Sequence, residues 1–542
     1  VAATAGRVSN EQKRKEKEMG IRWKAWSLLL MLTAVPGAAH FTFVVPQPGG
    51  EVAELILSET LSREDSVEPS LVAGTQLKLR DEQGKVTALE LVRDGHRFVM
   101  RLPGRGNRVV YGQANLGVVR RGSGGKPHLL LYYPKTVLGD AFAATGRVGD
   151  EQVVEIVPQG SAGAVKLLLV ARGKPLAGAE VTVILPDGKQ VKALSDSAGV
   201  AGPFPGKGRF GAWARYWEDV AGEEGGKRYE QVRHYAMVVF DAYEEAAALA
   251  PLAEKTSSFG AVIHEGWLYV YGGHVARTHS YSREAVSGRF FRRRVEGGDW
   301  EELKGGEGLQ GMNLGVLGEA VCRVGGMQPR NAPGEEADNH SVASVECYSV
   351  KRERWERLPD MPAPRSSHDV VSIGGRLMVV GGWNLRGREA AEWAKTMLVL
   401  EPGEGGMRWR EVAQPFVRRA LVAAAVNGKM YVIGGITPPG KVSTEVDIYD
   451  PEKDEWRKGA ALPGGERNGF APAAAAIGGK LYVAAGDGGL YVFEEERNEW
   501  KEAGRVRARV AHRMVSDGRG LMVLGGARKG ENLDIVERVA VD

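Results

Sequence analysis

From about residue 246 onward, short apolar runs alternate with glycine-rich polar breaks. Within Lys429–Pro463, the apolar run Met430–Ile433 stops at Gly434–Gly435, and a polar Pro/Gly loop follows. A second run, Val446–Tyr449, leads into the turn Asp450–Glu455, and Trp456 opens a third. Upstream, Asn427–Gly428 separates Leu421–Val426 from this stretch, a strong hairpin signal. The pattern predicts a four-stranded antiparallel unit. Paired glycines let another backbone approach closely. Tyr449 and Trp456 are large and amphipathic enough to wedge between neighbouring sheets.

The unit recurs. Paired glycines stand at Gly272–Gly273, Gly325–Gly326, Gly381–Gly382, Gly434–Gly435 and Gly525–Gly526, with a degenerate copy at Ala485–Gly486. Their successive starts are 53, 56, 53, 51 and 40 residues apart. Tryptophans follow at Trp300, Trp355, Trp409, Trp456 and Trp500. A fixed period with about four strands per unit predicts propeller blades. The order of apolar strand, Gly-Gly, Tyr and Trp resembles the kelch repeat, which implies a six-bladed β-propeller over residues 246–542. The sixth unit, from about Val510, has no terminal Trp strand. An open sheet edge needs a partner, so the segment Ala246–Leu252 is expected to close the ring.

Kelch propellers usually bind through one face. In this chain the starts of the inner strands carry Arg365, His368, Arg418, Arg419, Arg467, Asn468, Arg509 and His512. The loops after the glycines carry His274, His279, Arg330, Asn331, Trp383 and Asn384. Together these residues are expected to ring one mouth of the channel and to take an unknown protein or a small polar or acidic ligand. Cys322 and Cys347 fall on sequential strands of the second unit. In a reducing compartment they read as two buried thiols, and after export they are candidates for a cross-strand disulfide, against which stands that sheet geometry often sets such neighbours out of register.

The first half reads as further strands and turns. Residues 40–160 are expected to form one β-sandwich module, with strands at Phe41–Val45, Glu54–Leu57, Gln76–Leu79, Thr87–Val92, Phe98–Leu102 and Leu129–Tyr133. Residues 161–241 contain GKPLAGAEVTV, the turn Pro186-Asp187-Gly188, SDSAGV and an aromatic strand. This order resembles the small prealbumin-like and carboxypeptidase-regulatory sandwiches, and implies a second module of immunoglobulin-like type. The whole chain is thus expected to be all-β.

The stretch Met19–Ala39 has a basic start, the apolar run WSLLLMLTAV and small residues before His40. It reads as a secretory signal peptide preceded by an upstream extension, and its apolar run is short for a membrane span. Export to a periplasm or the extracellular space is expected, with no stable membrane span after cleavage.

With Ala38-Ala39-His40-Phe41 and Lys126-Pro127-His128, residues 40–240 resemble a periplasmic domain family associated with nickel and cobalt uptake. That resemblance implies a metal-binding domain. From chemistry alone, an amino-terminal His40 would offer an α-amine and an imidazole, and His128 and His234, at the starts of apolar strands, could supply further nitrogen. Such donors suit copper or nickel. The candidate ion is therefore nickel, cobalt or copper.

The 72 basic and 68 acidic residues leave a net charge of +4, which gives no reason to expect nucleic acid as a partner. No GxSxG, HExxH, Walker loop or CxxC is present. The leading expectation is an exported binding protein that joins a metal site to a recognition propeller. The alternatives are a secreted copper oxidase or carbohydrate-active enzyme, and a purely structural interaction protein.

Overall fold

A computed structural model describes residues 40–63, 69–95, 97–104, 106–120, 125–244 and 246–541. The signal-peptide reading of residues 1–39 lies outside the described residues. The described chain is all-β, with only short 3-10 turns between its strands. None of its helices is long and apolar enough to cross a membrane.

The two modules expected before residue 241 share one eight-stranded sheet. They are joined where His128–Leu138 pairs in parallel with Gln231–Ala242. Side chains alternate along these strands, so both faces of the shared sheet are buried. Met237 and Val239 enter one core with Phe41, Phe43 and Leu55 of a covering sheet. Ala236, Val238 and Phe240 enter a second core with Val165, Leu167 and Leu169 of another. The result is three layers, and the hairpin Val154–Ser161 to Ala164–Ala171 runs across the expected boundary at residue 160. Inside the second layer of packing, Lys135 and Glu155 form an ion pair of 2.7 Å at 1% and 2% exposure.

Beyond residue 246 the structure has six four-stranded sheets. We number them as blades by their innermost strands: Gly260–His264 (blade 1), Leu314–Leu317 (blade 2), Asp369–Ile373 (blade 3), Val422–Val426 (blade 4), Ala473–Ile477 (blade 5) and Arg513–Ser516 (blade 6). Apolar cores lie between successive blades and also between blades 6 and 1, where Val515 and Leu524 meet Phe259 and Leu268. The ring closes as expected. Ala247–Leu249 pairs antiparallel with Val536–Val539 and is the outermost strand of blade 6.

The repeated residues act at blade boundaries. Each indole Nε1 donates to a backbone carbonyl of the preceding blade or the segment just after it. The pairs are Trp300 to Pro251 (2.8 Å), Trp355 to Lys304 (2.7 Å), Trp409 to Pro359 (2.9 Å), Trp456 to Ala413 (3.0 Å) and Trp500 to Ala460 (2.8 Å). The paired glycines serve the opposite boundary. The N–H of Gly382 donates to the Arg418 carbonyl at 2.9 Å. A Cβ on Gly381 would lie 2.7 Å from that same oxygen, so only glycine, here at φ +68°, admits the contact. Cys322 and Cys347 face each other in register within blade 2 and are joined by a disulfide.

The halves touch. The Tyr243 hydroxyl donates to the Glu502 carbonyl at 2.9 Å. Arg209 forms two hydrogen bonds to Asp241, at 2.8 and 3.0 Å, and one to the Pro46 carbonyl. Burial pushes the Glu502 carboxyl from its ordinary 4.5 up to about 7, with Asp241 and Asp487 adding to the rise and Arg505 and Arg209 opposing it. Folding therefore favours protonated Glu502. The associated stability is complete below pH 4.5 and is lost as pH rises through about 7. Urea midpoints measured across that window should fall in the wild type by an increment absent from Glu502→Gln, whereas parallel profiles would refute the assignment.

Candidate functional site

Where the inner strands begin, the backbone itself forms a closed belt. Ser258, Gly311, Ser367, Ala420, Ala471 and Ala511 all have left-handed backbones. The N–H of each donates to the carbonyl of its counterpart in the preceding blade, at 2.6 to 3.0 Å, and Ser258 closes the circle onto Ala511. Below this belt Arg513 crosses the channel. It donates to the carbonyls of Phe259 (2.7 Å) and Met312 (2.6 Å) and to the Asp369 carboxylate (3.0 Å). Asp369 is fully buried and also accepts from Asn313 (2.8 Å) and the Ala423 N–H (2.7 Å). Arg513 and Asp369 thus bridge opposite blades across the channel just inside this mouth.

The residues just before the belt positions are Ser257, Gln310, Ser366, Arg419, Phe470 and Val510. Arg419 is the only ionisable residue among them. Its guanidinium lies 3.9 Å from the ring centre of Trp383 and 5.7 Å from that of Trp393, and the two indoles meet edge to face at 5.3 Å. Partial burial lowers its pKa, with the Tyr281 phenol opposing. Among the described residues no carboxylate lies in ion-pair range of Arg419. Its Nε, the Trp383 Nε1 and the Asn384 Oδ1 are all buried without a protein hydrogen-bond partner. A fixed cation stacked on an indole, with the Trp383 N–H beside it, suits a carboxylate, while the Asn384 oxygen would accept from a neighbouring N–H of the same ligand.

The structure sorts the residues expected at this mouth. His279, Arg330 and Arg467 are exposed, and Trp383, Asn384 and Arg419 are half-buried. The others do not line the mouth, because they are buried within the blades or the loops between strands. Arg365 donates to the carbonyls of Gly381 and Thr396, Arg418 to those of Gly434 and Glu445, and Arg509 to that of Val523. Each fastens the start of its inner strand to its own blade. His368 Nε2 donates to the Val324 carbonyl of the preceding blade at 3.0 Å, and burial holds its pKa down at about 3. His512, also fully enclosed, is likewise held neutral. His274 donates to the Arg277 carbonyl, Asn331 to the Tyr281 carbonyl, and Asn468 to Pro463 and Asp487, so all three stabilise loops. Sequence reading missed Trp393 and Tyr281. The available signal was an aromatic residue standing alone in a polar loop.

The three histidines considered for a metal do not form a common site. His128 lies opposite Gln231 in the parallel pairing, three positions from His234, so the two imidazoles project from opposite faces of the sheet. His128 Nδ1 is 3.1 Å from the Lys126 carbonyl. His234 sits between the Tyr133 hydroxyl (3.0 Å) and Glu218 (3.3 Å), and burial lowers its pKa. Arg172 holds Glu218 down at about 2. His40 precedes the first strand, and its carbonyl accepts from Tyr132 at 3.1 Å. Among the described residues no group of three or more His, Cys, Asp or Glu is placed to hold a metal ion.

With this geometry in place, the class is clear. The Kelch motif family model matches residues 418–463. The chain is 29% identical over 239 residues to Kelch repeat and BTB domain-containing protein 12 of Danio rerio, covering 41% of this chain and 37% of that protein. It is 29% identical over 203 residues to the Homo sapiens protein of the same name, covering 34% and 31%. It is also 29% identical over 167 residues to Beta-scruin of Limulus polyphemus, covering 31% and 18%. A solved structure of YjhT aligns at a TM-score of 0.45 and 14% identity, over 54% of this chain and 97% of that one. The carboxy-terminal part is a kelch-repeat β-propeller. The chain spans about a third of the length of the first two relatives. The nickel and cobalt resemblance of residues 40–240 gains no support from these matches.

Proposed function

We propose that this protein is a recognition protein whose propeller binds a partner protein at the mouth around Arg419, with a carboxylate of the partner seated on the Trp383–Trp393 platform. The carrying observation is an unneutralised, stacked cation at the mouth, above a channel bridged by Arg513 and Asp369. The Arg513–Asp369 bridge obstructs the channel between blades 6 and 3, which favours a surface ligand over a small molecule held deep in the channel. Kelch-repeat proteins generally serve as protein-interaction modules, which supports the same reading. The disulfide of blade 2 supports an exported protein, since reducing compartments keep thiols free.

The test is a display library of random peptides selected on the full chain. Wild-type protein should enrich Asp- and Glu-bearing sequences. Arg419→Glu should lose that enrichment, and Arg419→Ala should weaken an enriched peptide by about tenfold or more, as expected for a central Arg anchor. Retention of the same peptides at unchanged affinity by Arg419→Glu would sink the proposal.

A further inference from the structure

A second concavity lies away from the mouth, between the two halves of the molecule. Its volume is about 580 Å³, within the range of about 300–1,000 Å³ typical of small-molecule sites. Pro48, Pro186, Lys207, Arg209 and Tyr243 form one wall, and the outer strands of blades 5 and 6 form the other. The walls are held apart by direct contact beside the cleft. A Cβ on Gly49 would lie 2.3 Å from the Gly464 Cα, and one on Gly465 would lie 2.5 Å from a Glu51 carboxylate oxygen. Together with the Tyr243–Glu502 bond, these contacts fix the two sides without filling the space between them.

The lining has two characters. The propeller wall is largely apolar, with buried Tyr482, Val492, Trp500 and Val539. The ionisable groups favour one sign. Arg209 is neutralised by Asp241 and Arg538 by Asp517, so neither is free to recognise a ligand. Three exposed lysines remain. Lys207 faces Glu244 at 3.0 Å, Lys501 is 3.9 Å from Glu494, and Lys480 has no ion pair among the described residues. The lining acids are Glu244, already engaged by Lys207, and buried Glu502. Burial raises the latter's carboxyl to about 7, so near neutral pH it is about half protonated, and Arg505 at 2.9 Å offsets the charge of the ionised form.

We propose that this cleft binds a small organic anion with an apolar body, such as an aryl or alkyl carboxylate or sulfonate, its charge toward Lys480 and Lys501 and its body against Tyr482, Trp500 and Val539. An uncharged apolar molecule would leave the lysines unused, and a cation would meet them unfavourably.

The test uses anilinonaphthalene sulfonate with the full chain under native conditions, read by the probe's fluorescence. Saturable binding is expected. Lys480→Glu combined with Lys501→Glu should weaken it about tenfold or more by reversing both exposed charges. Ala540→Trp, a change at an exposed lining position, should abolish it by occupying the space. An unchanged urea midpoint in each variant shows that the fold is intact. Failure of the wild type to bind saturably, or equal binding by both variants, would overturn the proposal.

Discussion

Replacing Glu155 with alanine is expected to destabilise the amino-terminal half by about 3–5 kcal/mol, the range for breaking a buried ion pair from one side. Glu155 holds Lys135 at 2.7 Å and also accepts the N–H groups of Val148 (2.6 Å) and Gly149 (3.1 Å). Its removal strands three donors. Lys135 keeps only the Gly146 carbonyl at 3.0 Å, and burial already lowers its pKa. The penalty therefore comes from an uncompensated ammonium or from its forced deprotonation. Removing both charges should cost less, because the desolvation penalty disappears with them. The comparison is Glu155→Ala against Lys135→Met with Glu155→Leu, measured by urea denaturation. A double variant weaker than the single one would contradict this account.

The second large effect is expected at Asp369. Its carboxylate accepts from Asn313 ahead of blade 2, from Ala423 in blade 4 and from Arg513 in blade 6. Asp369→Ala leaves Arg513 without its counterion and buried donors without their acceptor, at an expected cost of about 3–5 kcal/mol. Asp369→Asn keeps the size and part of the hydrogen bonding, so it should fall between alanine and wild type. Thermal unfolding followed by tryptophan fluorescence reports it, since Trp300, Trp355, Trp409, Trp456 and Trp500 all bridge blade boundaries. Wild-type stability in Asp369→Ala would show that the belt alone secures the channel.

The repeat was legible because its residues have local jobs. A missing Cβ at Gly381 and an indole donor at Trp409 each serve one contact at a blade boundary, repeated at regular spacing. The mouth was harder to read. Arg418 and Arg419 are neighbours with opposite fates: one is buried against carbonyls of its own blade, the other stacks on Trp383. Composition alone does not distinguish alternate sides of a short extended segment. The metal expectation failed to gather its residues for a related reason. Which face His128 and His234 take depends on the register between strands about a hundred positions apart, and no local signal carries that register. The strand Arg108–Val119 also escaped notice, because glycine and asparagine interrupt its apolar pattern. Gly112 belongs there nonetheless: a Cβ would lie 1.8 Å from the Gln76 carbonyl oxygen of the adjoining strand.

The strand that completes blade 6 follows directly on the last long strand of the layered half, Ala247 coming soon after Ala242. A load that drags the halves apart therefore runs through the connector into Ala247–Leu249, held by a short register to Val536–Val539. Tension between the halves would open the propeller at its own seam. Under such a load the clasp would act as a mechanical fuse, and the cleft contacts beside it would share the strain.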